Sequence, residues 1–415
     1  MLVGFQVRLR EAWDCFRTDR LKEAETAARA LITDLELGAS RVSTPQPRPQ
    51  AELMRLRAAA RVVLGCVLDR VGQQAEALGL FAEAEGFFAQ AEPGDNTTGL
   101  DERYRGLALY FLGRGKNSPD LLERALYAFQ NAYYRGDTTA ETYRHLGLIQ
   151  QLLKNLDEAQ MWTQKALILA PSSPAINQTL AAILEDRGQI KEAAERYERA
   201  AQGLMETRRL AEAEAVLRRL HSLRPGDSIA LGMRGQVLRA LGRCEEAVEM
   251  FRAALQFDPT LAPAHTQLGE TLRQLGRNDE ALEALDQALK LDPENAYALG
   301  TRGQVLLALK RHQEAVETLQ KALEIDPKLG WAQADLGEAL RQLGRNEEAL
   351  EALDQALKLD PENAYALGTR GQVLRALGRR RGGGRRAAEG TDDRPEAELG
   401  LQRAEGNLAP PRPGP

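Results

Sequence analysis

LGETLRQLGRNDEALEALDQALKLDPENAYALGTRGQVLLALKR, residues 268–311, returns as LGEALRQLGRNEEALEALDQALKLDPENAYALGTRGQVLRALGR, residues 336–379. Forty of the 44 positions are identical; the four that differ are Thr271/Ala339, Asp279/Glu347, Leu307/Arg375 and Lys310/Gly378. The offset of 68 is twice 34, and the half-period is real: Gly235, Gly269, Gly303, Gly337 and Gly371 are 34 apart, as are Pro259, Pro293, Pro327 and Pro361. A period in this range predicts a stack of small units. Within one unit, Leu268, Leu272 and Leu275 share a helical face, as do Leu282, Leu285 and Leu289. Gly276 is placed to end the first helix in a left-handed conformation. Asn278 is expected to cap the second, with Asp279 and Glu280 at its positive end. Asp292-Pro293 stops it, because Pro lacks the amide and restricts the residue before it. One such pair cannot bury its apolar stripe alone; stacked neighbours can.

These residues resemble the tetratricopeptide repeat, which has a small residue at its eighth position, Ala at the twentieth and twenty-seventh, and Pro at the thirty-second. Gly269, Ala281, Ala288 and Pro293 match all four, and Gly337, Ala349, Ala356 and Pro361 match again. The resemblance implies an all-α fold: an α-solenoid of stacked helix-turn-helix pairs forming a right-handed superhelix. Its first helices would line a concave groove that binds a protein or peptide partner. Arg234, Arg302 and Arg370 depart from the pattern, standing where the family has a buried aliphatic residue. Either their stems pack with the heads in water, or these alternate repeats are looser.

Read outward from the array, the chain divides into four parts. Residues 1–50 form an N-terminal helical pair, broken near Thr18–Arg20, plus a Pro-rich linker from Gly38 to Gln50. Residues 51–227 form divergent repeats. There Gly65, Ala77, Phe81 and Ala84 keep the spacing, GRGKNSPD reads as a long inner loop, and Gly147, Ala159 and Pro171 are in register. From Pro171 to Pro225 the phase breaks by 20 residues, which predicts an odd helix among Pro174–Arg187, Ile190–Thr207 and Arg209–Ser222. The middle one reads equally well as the second helix of one pair and the first of the next. Residues 228–379 are the regular array. Residues 380–415 read as a disordered tail and as the product of a frameshift. Stepped forward one nucleotide, codons for Gly382 to Gly400 permit EAVE-x-LQKAL-T-IDPKL-S-WA, in register with the array. The helix at Asn363–Leu377 would then lack its partner, which leaves an uncapped end open to self-association.

Composition narrows the function. Net charge is −5 over 415 residues, and the array holds 18 basic against 23 acidic residues, which argues against a nucleic-acid surface. Cys15, Cys66 and Cys244 lie far apart, without metal-ligand spacing, and an odd count disfavours a disulfide framework. The start lacks a signal-peptide core, and no apolar run is long enough for a membrane span; the reading is a cytoplasmic protein. His145, His221, His265 and His312 are scattered, and no nucleophile, metalloprotease or dinucleotide motif occurs. The expectation is a non-enzyme without cofactor or metal.

The repeat alignment supplies groove candidates. The ninth position gives Gln236, Glu270, Gln304, Glu338 and Gln372; the twelfth gives Arg239, Arg273, Leu307, Arg341 and Arg375. The second gives Ile229, Pro263, Tyr297, Trp331 and Tyr365. Gln236, Arg239, Glu270, Arg273, Tyr297, Gln304, Trp331, Glu338, Arg341 and Tyr365 are therefore the expected partner-binding residues, since Arg and aromatics dominate interface hot spots. The competing reading is that these rows are solvated faces copied by duplication, with an aromatic at each junction. The Lys that the family's chaperone-tail binders carry at the fifth position is missing: Gly232, Thr266, Gly300, Ala334 and Gly368 stand there. Two functions fit: a protein-interaction scaffold, or a regulatory or targeting array truncated from a downstream catalytic, transferase-type domain.

Overall fold

A computed structural model describes residues 2–39, 47–91 and 97–388, with side chains described for 4–37, 50–91 and 97–378. Among the described residues every regular element is an α-helix, and none is long and apolar enough to cross a membrane. The helices divide into two compact units, Met1–Pro259 and Thr260–Pro415.

The first unit stacks α1 (Leu2–Arg17), α2 (Leu21–Ala39), α3 (Pro47–Arg70), α4 (Gln74–Gln90), α5 (Gly99–Lys116), α6 (Pro119–Tyr134), α7 (Ala140–Leu152) and α8 (Leu156–Leu169). It continues with α9 (Pro174–Asp186), α10 (Ile190–Glu206), α11 (Leu210–Leu223), α12 (Ser228–Ala240) and α13 (Cys244–Phe257). The second unit holds α14 (Ala262–Gln274), α15 (Asn278–Leu291), α16 (Ala296–Ala308), α17 (His312–Ile325), α18 (Gly330–Gln342), α19 (Asn346–Leu359) and α20 (Ala364–Ala388).

Each pair turns on one left-handed residue. Gly276 sits at φ 74° and Gly344 at 76°, where a side chain would be strained. Asp19, Asn117, Lys154, Arg208 and Lys310 take the same conformation without being glycine. The Gly276 turn closes when the Arg277 N–H donates to the Leu272 carbonyl at 2.9 Å. The residue at the head of α15 is Arg277, not Asn278, and it makes no side-chain cap. Its guanidinium instead grips Glu280 one turn on, at 2.7 Å. Asparagine caps appear at the first helices, where Asn295 accepts from the Ala298 N–H at 2.9 Å.

Within a pair the helices cross at the glycine. A Cβ on Gly269, Gly303 or Gly337 would lie 2.5 Å from the Cγ of Leu285, Leu319 or Leu353. In the first unit the same crossing is filled by Phe: Gly65 under Phe81, Gly106 under Phe129, Gly235 under Phe251. Buried alanines beside each crossing, such as Ala281, Ala288, Ala349 and Ala356, let the backbones approach.

Three boundaries differ from the sequence reading. The linker is shorter than Gly38 to Gln50, because α2 reaches Ala39 and α3 starts at Pro47, where Pro suits a first turn; residues 40–46 lie outside the described residues. The GRGKNSPD stretch is mostly helix: α5 continues to Lys116 and Ser118 caps α6, which leaves Asn117 and Ser118 as the connection. The last helix does not stop at Leu377. α20 runs to Ala388, through residues 380–388 of the stretch read as tail. Gly378 does not turn, in contrast to Gly344 one period earlier; among the described residues no second helix follows α20 to hold a turn there. Residues 389–415 lie outside the described residues.

The phase break does contain an odd helix. α10 packs on both of its neighbours. Ala193 joins Leu180 and Leu184 of α9, while Ala201 and Leu204 join Ala213 and Leu217 of α11. The left-handed Arg208 between α10 and α11 is the turn of a regular pair. Both alignments of the middle helix are therefore correct at once.

Candidate functional site

In the second unit the first helices α14, α16, α18 and α20 carry the expected row. Tyr297 and Trp331 meet edge to face, with ring centroids 5.8 Å apart. Trp331 rests on Gly300, where a Cβ would come within 2.3 Å of the indole. That fifth-position glycine seats an aromatic ring. Gln304 donates to Asp335 Oδ2 at 2.7 Å, which links α16 to α18. Tyr365, half exposed, lies at the head of α20.

The two arginines are not free hands. Arg273 grips Glu270 through two bonds of 3.0 Å, and Gln274 adds a third at 2.8 Å. Arg341 grips Glu338 at 2.8 and 2.6 Å, and Gln342 adds 2.6 Å. Three-residue spacing on a helix puts these side chains side by side. Burial acts to raise the Glu338 carboxyl, but the paired guanidinium holds it below the usual range. Both arginines are thus partly buried halves of ion pairs.

Asp335 is the residue that sequence reasoning missed. It is bonded by a neutral carboxamide instead of a guanidinium, and burial pushes its carboxyl up to about 6, against the pull of Gln304 and Arg273. The signal was there: the aligned residues are Met233, Gln267, Thr301, Asp335 and Thr369, so one repeat alone places a carboxylate at that point.

Gln236 and Arg239 belong to α12 in the first unit, so the ten expected residues are divided between the units. The first unit has its own concavity of about 1160 Å³, between α1, α3, α5 and residues 135–141. Trp13 and Tyr104 form its floor, edge to face at 5.7 Å. Arg103 and Asp137 form a buried pair at 3.5 Å on its wall. None of these four was singled out from the sequence, because the repeats that carry them are divergent and align poorly with the array. Among the described residues no group of three His, Cys, Asp or Glu is placed to hold a metal.

The tetratricopeptide-repeat family is matched over residues 199–262, 266–329 and 306–373. The matched stretches, within residues 199–373, are tetratricopeptide repeats. The first match opens inside α10, in accord with the pairing of α10 and α11. No curated protein gives a match. Among solved structures, MamA from Desulfovibrio magneticus RS-1 is 22% identical, over 41% of this chain and 97% of its own, at a TM-score of 0.38. YrrB, described as a TPR protein with an unusual peptide-binding site, is 23% identical over 49% of this chain and 95% of its own, at 0.27. PilF of Pseudomonas aeruginosa is 18% identical over 57% and 98%, at 0.36. At these values the likeness says nothing of this chain's partner.

Proposed function

We propose that this chain is a protein-interaction scaffold whose second unit holds an extended segment of a partner protein along the α14–α16–α18 row. The observation that carries the reading is the Gln304–Asp335 pair beside the Tyr297–Trp331 ring pair. An aromatic face next to a half-buried carboxylate is the combination that recognises a side chain with an apolar stem and a donor head, as in Lys or Arg. A partner carboxylate would have to compete with Glu270 and Glu338 for guanidinium groups already held twice over. The row therefore selects donors over acceptors at its centre, and the flanking ion pairs set the register.

The test is capture of partners from the native host by the immobilised chain, compared with Trp331→Ala, Asp335→Lys and the double charge reversal of Arg273 and Arg341. Asp335→Lys and Trp331→Ala should each cut capture at least tenfold. Double reversal should cost less than Asp335→Lys, and capture should weaken with salt because exposed charges are screened. A partner retained undiminished by all three variants would place the binding surface elsewhere.

A further inference from the structure

The second helix of a repeat has two positions that face water. They lie two residues before and five residues after the side chain seated on the crossing glycine, as Leu285 is seated on Gly269. On α13, α15, α17 and α19 both positions are exposed and hold only Glu, Gln or Lys. At the matching places α10 has Glu195 and Gln202, and α11 has Ala215 and Ser222. α6 and α8 break the rule. Phe129 is seated on Gly106 and Thr163 on Gly147, so the equivalent residues are Tyr127 with Tyr134 and Met161 with Ile168. They are 67%, 79%, 41% and 77% exposed. Leu169 is exposed too, but Phe257, Leu291, Ile325 and Leu359 are exposed at the same position of the array, so it marks nothing special.

These four side chains share one exposed face of the first unit. Each pair is seven residues apart on its helix and so spans two turns, about 10 Å. Tyr133 and Trp162 join α6 to α8 beside them, with ring centroids 5.5 Å apart, and Tyr133 meets Tyr134 at 5.4 Å. Large apolar side chains gathered on one exposed face mark a docking surface, whereas single ones do not. Lys165 lies among them, on the same stripe of α8 as Met161 and Ile168. Its Nζ is 4.2 Å from the centre of the Trp162 ring, and among the described residues no carboxylate pairs with it.

The surroundings select the occupant. Among the described residues there is no sheet edge to extend. An extended segment laid on this face would leave its N–H and C=O groups without partners against apolar side chains. A helix satisfies its own and can lie in the valley between two neighbouring helices. Covering Lys165 with apolar side chains alone would bury a charge without a partner, which is costly. The occupant must therefore bring a carboxylate. A second copy brings none: a two-fold contact sets the same patch against itself and draws two Lys165 ammonium groups together.

We infer that the α6–α8 face docks an amphipathic helix of a different protein. Its apolar side chains at i, i+3 and i+7 cover Tyr127, Tyr134, Met161 and Ile168, and a carboxylate at i+4 meets Lys165. This surface is separate from the α14–α16–α18 row and stands whether or not that row binds. The test is fluorescence anisotropy of the full chain with three labelled synthetic peptides on one Ala-rich background. The first carries leucines at i, i+3 and i+7 with Glu at i+4; the second has Lys at i+4 instead. The third is the first with a central proline, which breaks the helix. The Glu peptide should bind saturably and about tenfold tighter than either of the others. Tyr134→Gln combined with Ile168→Gln should weaken it about tenfold, and Lys165→Glu should turn the preference toward the Lys peptide. The fold accommodates these changes, because Gln202, Gln256 and Glu83 already stand at the equivalent positions of other second helices. No saturable binding of the Glu peptide, equal binding by the parent and the double variant, or a Glu preference that survives Lys165→Glu would overturn the inference. So would equal binding of the proline peptide, which would make the occupant extended. A concentration-dependent dimer that the double variant dissolves would make it a second copy.

Discussion

Lys310 holds the left-handed turn between α16 and α17 at φ 59°, where the neighbouring repeats use Gly276 and Gly344. A side chain in that conformation is strained by roughly 1–2 kcal/mol. Lys310→Gly should therefore stabilise the second unit by about 0.5–1 kcal/mol, net of the entropy that Gly loses on folding; a lower melting temperature would contradict this. Asp335 is a second residue with a measurable signature. Its carboxyl is raised from 3.8 to about 6 by burial. A raised acid costs nothing while protonated, below about pH 4. The cost is complete once the pH has risen through 6. Asp335→Asn should thus stabilise the protein by about 1–2 kcal/mol at pH 7.5, with the gain fading by pH 4; this discounts the roughly 3 kcal/mol of a two-unit shift for partial exposure. Thermal melts across that range decide it, and a gain that stays constant with pH would assign it to something other than ionisation.

At the scale of the element, the 68-residue period has a cause. Arg302 packs its stem and bonds Asp286 of the preceding helix at 2.7 Å, and Arg370 does the same to Asp354 at 2.7 Å. Where the first helix has Leu268 or Leu336 instead, the preceding helix carries Arg252 or Gln320. Within the second unit an ion pair at α15–α16 and at α19–α20 thus alternates with a buried leucine, Leu336, at α17–α18, so the repeated unit is two pairs long. The anomalous arginines are neither loose nor free. Asp286→Gln or Arg302→Leu alone should each destabilise, while the double variant, which copies the Gln320–Leu336 junction, should recover most of the loss. A double-mutant cycle should give a coupling of about 0.5–1 kcal/mol, as for a partly exposed pair; strict additivity would remove the junction argument. Gly337→Leu, which drives a side chain into Leu353, should cost about 1–3 kcal/mol by overpacking. An unchanged unfolding curve would show that the crossing can open.

For the molecule as a whole, the three cysteines report on separate places. Cys66 is buried in α3, whereas Cys15 and Cys244 are partly exposed. Burial pushes the Cys66 thiol up, so little thiolate forms at neutral pH. Alkylation under native conditions should modify Cys15 and Cys244 and leave Cys66 at least a hundredfold slower, its rate tracking the opening of the first unit. Mass mapping of the labelled sites would reveal the opposite order if α3 were not at the core.

Period, pairing and turn positions were legible from residue 228 to 359 because a duplicated repeat states its own register: Gly at the crossing, Ala beside it, Pro after it. The ambiguity at α10 was legible too, since one helix there satisfies two patterns. Sequence named the rows of the groove but not their state. That Arg273 and Arg341 are already held by Glu270 and Glu338, or that Asp335 lacks a guanidinium, depends on which side chains share a face and how far each is buried. The end of α20 was likewise undecided by residues 364–378, which nearly repeat 296–310. The same string buries its leucines on α16 and exposes them on α20, because burial belongs to the neighbouring helix, and a helix does not encode its neighbour.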